Sequence, residues 1–269
     1  MKKRKICVRA WWLIAALLVG LIPEKSWGQD ESVNVNSFLQ DPLCTNNYVQ
    51  YWTRDGANKS VFYVVTNDAL ESDAYRSDKG IEFWTATPIS EEKDLIYQNV
   101  IVPNGKYTLT GYAMACVADS KNNIPGGIFF FANEVESNVT TNVWGKHSVE
   151  VEVTDNNLRI GLRAKTGNKN NWLTIANVTM LFQGSELDYL KALTLLRIDN
   201  YKEKLLSVTN ANEETRNTFT ASLVTIQSTI ESAETEEAVK TAFSEFTTAC
   251  QKLYTDGGGE YYPLRRILM

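Results

Sequence analysis

The sequence IYQNVIVPNGKYTLTGYAMACV, residues 96–117, has the pattern of two β-strands joined by a Pro-Asn-Gly turn. In the second strand apolar or small side chains alternate with polar ones, as they do where one face of a sheet is buried. One face carries Tyr107, Leu109, Gly111, Ala113, Ala115 and Val117, and the other begins with Lys106, Thr108 and Thr110. We predict that this hairpin forms half of a β-sandwich core.

Further strand patterns lie on both sides of the hairpin. Residues 61–66 and 81–86 are short strand-like runs, and residues 128–132 form an apolar run short enough for a strand covered on both faces. Apolar and polar residues alternate at 148–153 and 158–164, and a last strand spans about 172–182. Asn- and Gly-rich turns separate the strands, which predicts an antiparallel sandwich or jelly roll over residues 41–184.

After Gly184 the apolar period becomes that of a helix. Ser185 followed by Asp188 resembles a capping box, and Asn212 and Thr235 are candidate N-caps of two further helices. Residues 185–255 are therefore predicted to form an antiparallel three-helix bundle. Residues 256–269 begin with Asp-Gly-Gly-Gly, and we interpret them as a tail, a linker or a truncated next domain.

The N-terminus has the pattern of a secretory signal peptide. Basic residues between Lys2 and Arg9 precede an apolar run at 10–22, and Ser26 and Gly28 are small residues at the two positions that a signal peptidase inspects, which predicts cleavage near Gly28. A membrane anchor is the alternative, but spanning a bilayer requires roughly 20 apolar residues, and the run at 10–22 is shorter. We predict a signal peptide at 1–28, a polar leader at 29–40 and a secreted, periplasmic or cell-surface location.

Removal of residues 1–28 leaves 21 Lys and Arg against 31 Asp and Glu, a net charge of −10. This acidity argues against nucleic acid and anionic membrane surfaces as partners, because phosphate binding depends on clustered Lys and Arg. No segment after the signal peptide is apolar over a length that could span a membrane.

The fold is not predicted to depend on disulfide bonds. Cys7 belongs to the signal peptide, and Cys44, Cys116 and Cys250 remain as an odd set. A bridge between Cys44 and Cys116 is one interpretation. The one we favour is that these residues are small buried apolar side chains.

Several stretches carry a resemblance to a known family. They are residues 48–52, the Ile-Glu-Phe-Trp run at 81–84, the hairpin at 96–109, residues 128–133 and residues 172–181. Over about 41–183 the chain resembles the secreted galactose-binding-domain-like modules of Bacteroidetes polysaccharide-utilising surface proteins. The resemblance implies a jelly roll with a carbohydrate-binding or accessory role, and the helices match such proteins only in arrangement.

The last strand departs from that family at Ala176. Many modules of this type carry an acidic residue there, before Asn or Asp, which contributes to a structural calcium site. Here the stretch is Ile175-Ala176-Asn177, and Ala176 supplies no carboxylate. Calcium requires several oxygen ligands, so we predict no metal, and we predict no cofactor.

The sequence has no recognisable catalytic constellation. His147, the single histidine, lies in phase with Val149 and Val151 of a strand, without a Gly-x-Ser-x-Gly elbow or metal-spaced partners. A glycan hydrolase would need two converging carboxylates, for which the chain offers Glu82, Asp94, Glu134, Glu150 and Glu152. The last two lie on the outer face of an alternating strand, where charge is ordinarily solvated. We therefore predict a protein that is not an enzyme.

Sugar binding uses aromatic rings against the apolar side of a pyranose and polar side chains for its hydroxyls. Trp52, Trp84 and Trp172 coincide with positions of the resembling modules, which implies packing on the small face around Gly111, with binding as the alternative. Trp144 precedes a strand, where it is either presented at a loop tip or packed.

The candidate ligand-binding residues come from several parts of the chain. They are Trp84, Trp144, Arg163, which we expect to point outward at a strand end, and Asn168 and Asn171 in the polar loop 165–172. We predict a secreted module that binds carbohydrate through sandwich loops. The alternative is a structural or protein-interaction module of a surface assembly with no sugar site. An exposed Trp144 beside a groove with Arg163 and Asn171 would favour binding, and burial of all four mature-chain Trp would favour the alternative.

Overall fold

The computed structural model describes residues 31–44, 51–54, 64–66, 79–85, 89, 91–117, 126–140, 144–165, 171–206, 208 and 210–257. The predicted signal peptide, Asn168 and the predicted tail beyond Gly257 lie outside these ranges. Trp84 and Asn171 are described by their backbone positions in strands.

Eleven strands are described, and they form two antiparallel sheets. They are β1 (Ser32–Asn34), β2 (Thr53–Arg54), β3 (Val64–Thr66), β4 (Lys79–Thr85), β5 (Lys93–Ile101), β6 (Gly105–Val117), β7 (Ile128–Ala132), β8 (Val135–Asn138), β9 (Gly145–Val153), β10 (Asn157–Ala164) and β11 (Asn171–Gln183). The six-stranded sheet has the order β3-β4-β11-β6-β9 with β1 also on β11, and the five-stranded sheet has the order β2-β5-β10-β7-β8. From β4 onward consecutive strands change sheet except at the β7–β8 hairpin, so the predicted jelly-roll sandwich is confirmed.

The core lies between the two sheets, and β6 contributes one wall of it. Its alternation places Tyr107, Leu109, Ala113 and Ala115 inside without exposed surface. A Cβ atom added to Gly111 would lie 2.7 Å from the Phe130 ring. Phe130 of the five-stranded sheet therefore covers the small face that the sequence predicts.

The prediction that Trp172 packs on that small face is wrong. Trp172 pairs with Cys116 of β6, and its neighbour Leu173 is buried in the core, so Trp172 lies on the outer surface of the six-stranded sheet. Trp52 is buried in the core and donates its indole N–H to the carbonyl oxygen of Asp41 at 3.2 Å.

The predicted polar leader is wrong from residue 32 onward. Strand β1 pairs with β11, the backbone N–H of Val35 donates to the carbonyl of Met180, and Val35 is buried. Gln40 exchanges two hydrogen bonds with the side chain of Gln98, which is 3% exposed. This segment closes one side of the sandwich by hydrogen bonding. Because its composition is polar, it has no apolar periodicity from which a strand could be predicted.

Three helices follow the sandwich, as predicted: α1 (Glu186–Leu206), α2 (Glu213–Ser232) and α3 (Glu236–Asp256). Ser185 and Asp188 form the reciprocal hydrogen bonds of a capping box, and the side chains of Asn212 and Thr235 accept from backbone N–H groups three residues on. The helices share an apolar core around Phe219, Ile226, Ile230, Phe246 and Leu253.

Helix α1 is attached to the sandwich through aromatic contacts. The Phe182 ring at the end of β11 meets Tyr107 edge-on at 5.5 Å and Tyr189 of α1 at 5.6 Å between ring centroids. The buried Phe182 side chain therefore packs both in the sandwich core and against helix α1.

Cys44, Cys116 and Cys250 form no disulfide and are buried, which confirms the favoured interpretation of small apolar side chains over a Cys44–Cys116 bridge. Burial raises the pKa of the Cys250 thiol to about 12. Of the helices that the structure describes, none has the length and apolar character to cross a membrane.

Candidate functional site

The structure separates the residues that the sequence predicts as one site. Arg163 lies on the outer surface of the five-stranded sheet, whereas Trp144 packs on the six-stranded sheet, whose strands also carry Trp84 and Asn171. The sandwich core lies between these surfaces. Trp144 and Arg163 therefore do not share the groove that would have favoured binding, and each surface has to be considered separately.

The outer surface of the five-stranded sheet has a central gap at Gly161. Leu158, Ile160 and Leu162 of β10 point into the core, so Gly161 lies on the outer surface. Its partners across the sheet are Tyr97 on β5 and Phe131 on β7. A Cβ atom at Gly161 would lie 1.8 Å from the carbonyl oxygen of Ile96, so glycine is required there.

Charged side chains surround this gap, and we call them together with the rings beneath them the charged face. Its residues are Glu92, Asp94, Tyr97, Phe129, Phe131, Glu134, Glu136, Arg159, Arg163 and Lys165. The surface is open to solvent, because the side chains of Glu134, Glu92 and Arg159 are 93%, 53% and 45% exposed.

Arg163 is the centre of the charged face. Its Nε lies 2.6 Å from Oδ1 of Asp94, and its Nη1 lies 3.1 Å from Oε1 of Glu136. Carboxylate oxygens of Glu92 and Glu134 are each 3.6 Å from the same Nη1. Arg163 does point outward as predicted, but it is only 7% exposed, because these carboxylates and the Phe131 ring enclose it.

The network continues to both sides of Arg163. Arg159 donates from Nη1 to Oδ2 of Asp94 at 3.0 Å and from Nε to Oδ1 of Asn99 at 2.7 Å. Lys165 Nζ lies 2.8 Å from Oε2 of Glu136. Asp94 and Glu136 are thus each held by two cations, which fixes their orientation.

Each aromatic ring on the charged face has a cation above it. Arg159 lies 4.6 Å from the centroid of Tyr97, Arg163 lies 4.4 Å from that of Phe131, and the Lys165 ammonium lies 5.3 Å from that of Phe129. These distances are within the range of cation–π attraction. The cations therefore cover the rings: Phe131 has no exposed surface, and Tyr97 and Phe129 are half-buried.

The ion pairs shift the protonation equilibria of their members. Burial raises the pKa of Glu136, but hydrogen bonds and charge from Lys165 and Arg163 outweigh it, and the net pKa is lowered. For Arg163, burial lowers the pKa, but hydrogen bonds to Asp94 and Glu136 and the charges of Asp94 and Glu134 outweigh it and raise the pKa above its ordinary value. Glu136 and Arg163 are therefore both charged at neutral pH.

The outer surface of the six-stranded sheet carries a second cluster, which we call the tryptophan face (Gly80, Glu82, Trp144, Trp172 and Thr174). Trp144 is half-buried and packs against the core instead of standing at a loop tip. Burial raises the pKa of Glu82, and a hydrogen bond from the Trp172 indole lowers it by less, so the net pKa is raised.

The remaining candidate chemistry of the sequence is structural. His147 is buried on the inner side of β9, 6.5 Å from Phe130 between ring centroids, and burial lowers its pKa. Glu150 and Glu152 are exposed on the outer surface, as predicted. Among the described residues no group of three or more His, Cys, Asp and Glu is placed to hold a metal ion.

Several residues of the charged face were missed at the sequence level. Phe129 and Phe131 are in a run that predicts a strand covered on both faces, and the cover proves to be Lys165 and Arg163. The sequence feature that could have identified the charged face is the pair Arg159 and Arg163, which lie on the outer side of the same alternating strand.

No family model and no curated protein matches the chain. Solved structures that resemble it include the module TmCBM61 in complex with β-1,4-galactotriose, at 18% identity and a TM-score of 0.39, covering 54% of this chain and 97% of that one. The CBM22-1 xylan-binding domain of Paenibacillus barcinonensis Xyn10C has 15% identity and a TM-score of 0.40, covering 59% and 99%. A Stig cyclase from Fischerella sp. TAU has 13% identity and a TM-score of 0.38, covering 58% and 100%. Binding modules and a cyclase resemble the chain to the same degree, so the likeness leaves function open.

Proposed function

We propose that this protein is a secreted or surface-located, non-catalytic module that binds uncharged carbohydrate on the charged face. The observation that carries the proposal is a network of ion pairs on a sheet surface that is open to solvent, with the central side chains of Arg163, Asp94 and Glu136 only 8%, 12% and 14% exposed. Such a network is weak evidence for stability, because desolvation of the charges offsets their attraction. We infer that a network of this kind on an open surface serves recognition.

The geometry of the network suits the hydroxyl groups of a sugar. Arg159 has donors that are not engaged by Asp94 or Asn99, and the carboxylates of Asp94 and Glu136 have acceptor capacity beyond their cations. These groups are already held in place, so little side-chain entropy is lost when a ligand binds. Tyr97, opposite Gly161, and Phe129, opposite Arg163, are half-buried rings that supply apolar contact.

The charge of the face indicates the class of glycan. Arg159, Arg163 and Lys165 stand against the four carboxylates Glu92, Asp94, Glu134 and Glu136, and the cations are engaged by these carboxylates. An anionic sugar would meet an excess of negative charge. A neutral oligosaccharide exchanges hydrogen bonds without disrupting the ion pairs.

The pKa shifts of Glu136 on the charged face and of Glu82 on the tryptophan face do not fit a glycosidase. A glycosidase needs a general acid with a raised pKa beside a second carboxylate. The pKa of Glu136 is lowered, and Glu82, whose pKa is raised, faces Trp172 and Thr174 rather than another carboxylate.

A glycan array with a protein spanning residues 29–269 tests this proposal. We expect binding to neutral glycans that Arg159→Ala reduces at least tenfold, while the matched control Arg216→Ala, an exposed Arg on α2, binds as the unchanged protein does. Absence of binding to any glycan at high concentration would contradict the proposal. Binding that survives Arg159→Ala and is lost in Trp144→Ala would move the site to the other sheet.

One observation favours the alternative of a structural or protein-interaction module. Every described ring of the charged face has a cation above it, so no ring face is free for stacking by a pyranose. A negative array, together with a loss of stability on removal of Arg163, would support this alternative. Trp84, Asn168 and Asn171 stay predicted ligand residues, to be tested by alanine substitution on the same array.

A further inference from the structure

His147 is a titratable side chain inside the sandwich, away from both the charged face and the tryptophan face. It is 8% exposed and lies on the inner side of β9, in line with Val149 and Val151. Its Nε2 atom is buried and has no hydrogen-bond partner in the part of the chain that the structure describes. The imidazole also donates a hydrogen bond to the backbone of Ala113. One ring nitrogen is thus a donor and the other an unused acceptor, which is the arrangement of the uncharged ring.

The contacts of His147 are apolar. Gly111 is directly opposite on β6 and contributes no side chain, and the Phe130 ring of β7 lies 6.5 Å away between ring centroids. A proton on Nε2 would add a charge and a donor where the described residues offer no acceptor. Burial accordingly lowers the pKa of His147, and the hydrogen bond to Ala113 offsets only part of this effect.

The titratable side chains of the neighbouring strands do not compensate such a charge. Of those described on β6, β7, β8 and β9, only Tyr107 shares the inner side with His147, and it is opposite Val151. The others lie on the outer sides of the two sheets: Lys106, Tyr112, Cys116, Glu136, Lys146, Glu150 and Glu152. No described carboxylate therefore faces the imidazole.

Strand β9 is the element whose position depends on this side chain. It lies at the edge of the six-stranded sheet, where β6 is its partner. An edge strand can separate without breaking the other strand pairs of the sheet, so its opening is a local event. Separation of β9 from β6 brings His147 into water, where an imidazole has its ordinary pKa of 6.5.

We propose that His147 is an acid-sensitive switch on strand β9, which is paired with β6 at neutral pH and separates from it when the imidazole takes up a proton. The open state binds this proton below pH 6.5, whereas the paired state binds it only at a lower pH, because its pKa is lowered. Between these two pKa values, each pH unit shifts the equilibrium toward the open state by up to about tenfold. Below the native pKa both states are charged, and the shift ends.

Hydrogen exchange of an untagged protein spanning residues 29–269, measured from pH 7 to pH 5 and corrected for the intrinsic effect of pH, tests the proposal. We expect the protection of residues 145–153 to fall by up to about tenfold per pH unit, while that of the central strand β11 stays constant. His147→Gln does not titrate, so its β9 should stay protected, and His147→Phe serves the same purpose with a ring. The matched control Lys146→Gln, an exposed neighbour on β9, should respond as the unchanged protein does.

The single histidine of the chain allows a direct measurement. Its imidazole resonance in an NMR titration belongs to His147 without further assignment, and we expect a midpoint below pH 6.5 in the folded protein. Carboxylates do not produce the same pattern. The pKa of Glu136 is lowered, so it titrates in stronger acid, and protonation of Glu82 favours the folded state.

Three results would overturn the proposal. The first is an NMR midpoint at or above pH 6.5 in the folded protein. The second is an acid-induced loss of β9 protection that persists in His147→Gln and His147→Phe. The third is an equal loss of protection in β9 and β11, which would show that protonation acts on the whole sandwich. None of these measurements involves a glycan, so their outcome is independent of binding at the charged face.

Discussion

Replacing Arg163 with alanine removes the centre of the charged face. The side chains of Asp94 and Glu136 are only 12% and 14% exposed, so they lose a partner in a poorly solvated position. Removing one member of a buried ion pair costs about 3 to 5 kcal/mol. Asp94 keeps Arg159 and Glu136 keeps Lys165, so we expect the lower end, about 3 kcal/mol. That corresponds to a fall in Tm of about 6 to 12 °C for a domain of this size.

Urea unfolding and thermal melts at pH 7 measure the effect of Arg163→Ala. The matched control is Arg159→Ala, because Arg159 pairs with the same Asp94 but its side chain is 45% exposed. Exposed pairs contribute about 0 to 1 kcal/mol, so the control should change the free energy of unfolding little. Equal losses in both variants, or a loss below about 1 kcal/mol for Arg163→Ala, would refute the conclusion that burial makes this network costly to break.

The pKa of Glu136 is lowered, so the ionised carboxylate stabilises the fold above the ordinary pKa of 4.5, and this stabilisation is lost as pH falls through the lower native pKa. In urea unfolding, the contribution of Glu136 to the free energy of unfolding should stay constant from pH 5 to 7. It should decline below pH 4.5, and Glu136→Gln should reduce that decline. Glu82 has the opposite sign, because burial disfavours its charged form: Glu82→Gln should raise the Tm at pH 7, and the gain should vanish below pH 4.5, where the native carboxyl is protonated. An unchanged Tm at pH 7 would contradict that reasoning. Gly161→Ala places a Cβ atom 1.8 Å from the Ile96 carbonyl oxygen, so we expect a loss of about 4 kcal/mol or more; a soluble variant with unaltered urea midpoint would show that β5 and β10 separate easily.

The parts of the fold that follow from local periodicity were predictable. The alternation in β6 identifies Tyr107 and Leu109 as core residues, and the hydroxyl and amide groups of Ser185 and Asn212 identify helix starts. Each of these signals is contained within a few consecutive residues. Strand β1 carries no such signal, because its place in the sheet comes from hydrogen bonds to β11.

The candidate site was not predictable to the same degree, because its groups meet across strands. Arg163 and Glu136 are 27 residues apart, and Arg163 and Asp94 are 69 apart. Alternation gives the outward direction of Arg163, but it does not show which carboxylates its neighbours present. Trp172 was assigned to the core for a related reason, since a large apolar residue in a strand fits either surface until the register is known.

A bulge between β5 and β10 explains why Asp94 reaches Arg163 at all. The register passes from Leu162 opposite Ile96 to Arg163 opposite Asp94, so Leu95 is skipped. Without the bulge, Arg163 would face Leu95, and period-two alternation would place Leu95 on the outer surface. With it, Leu95 and Ile96 are both buried in the core, and Asp94 turns outward to accept from Arg163 at 2.6 Å. Bulges re-aim side chains in this way and occur preferentially beside functional sites. The bulge also interrupts the alternation at the start of β5. The sequence pattern therefore begins the strand only at Ile96, and Asp94, the partner of Arg163, falls outside the predicted strand.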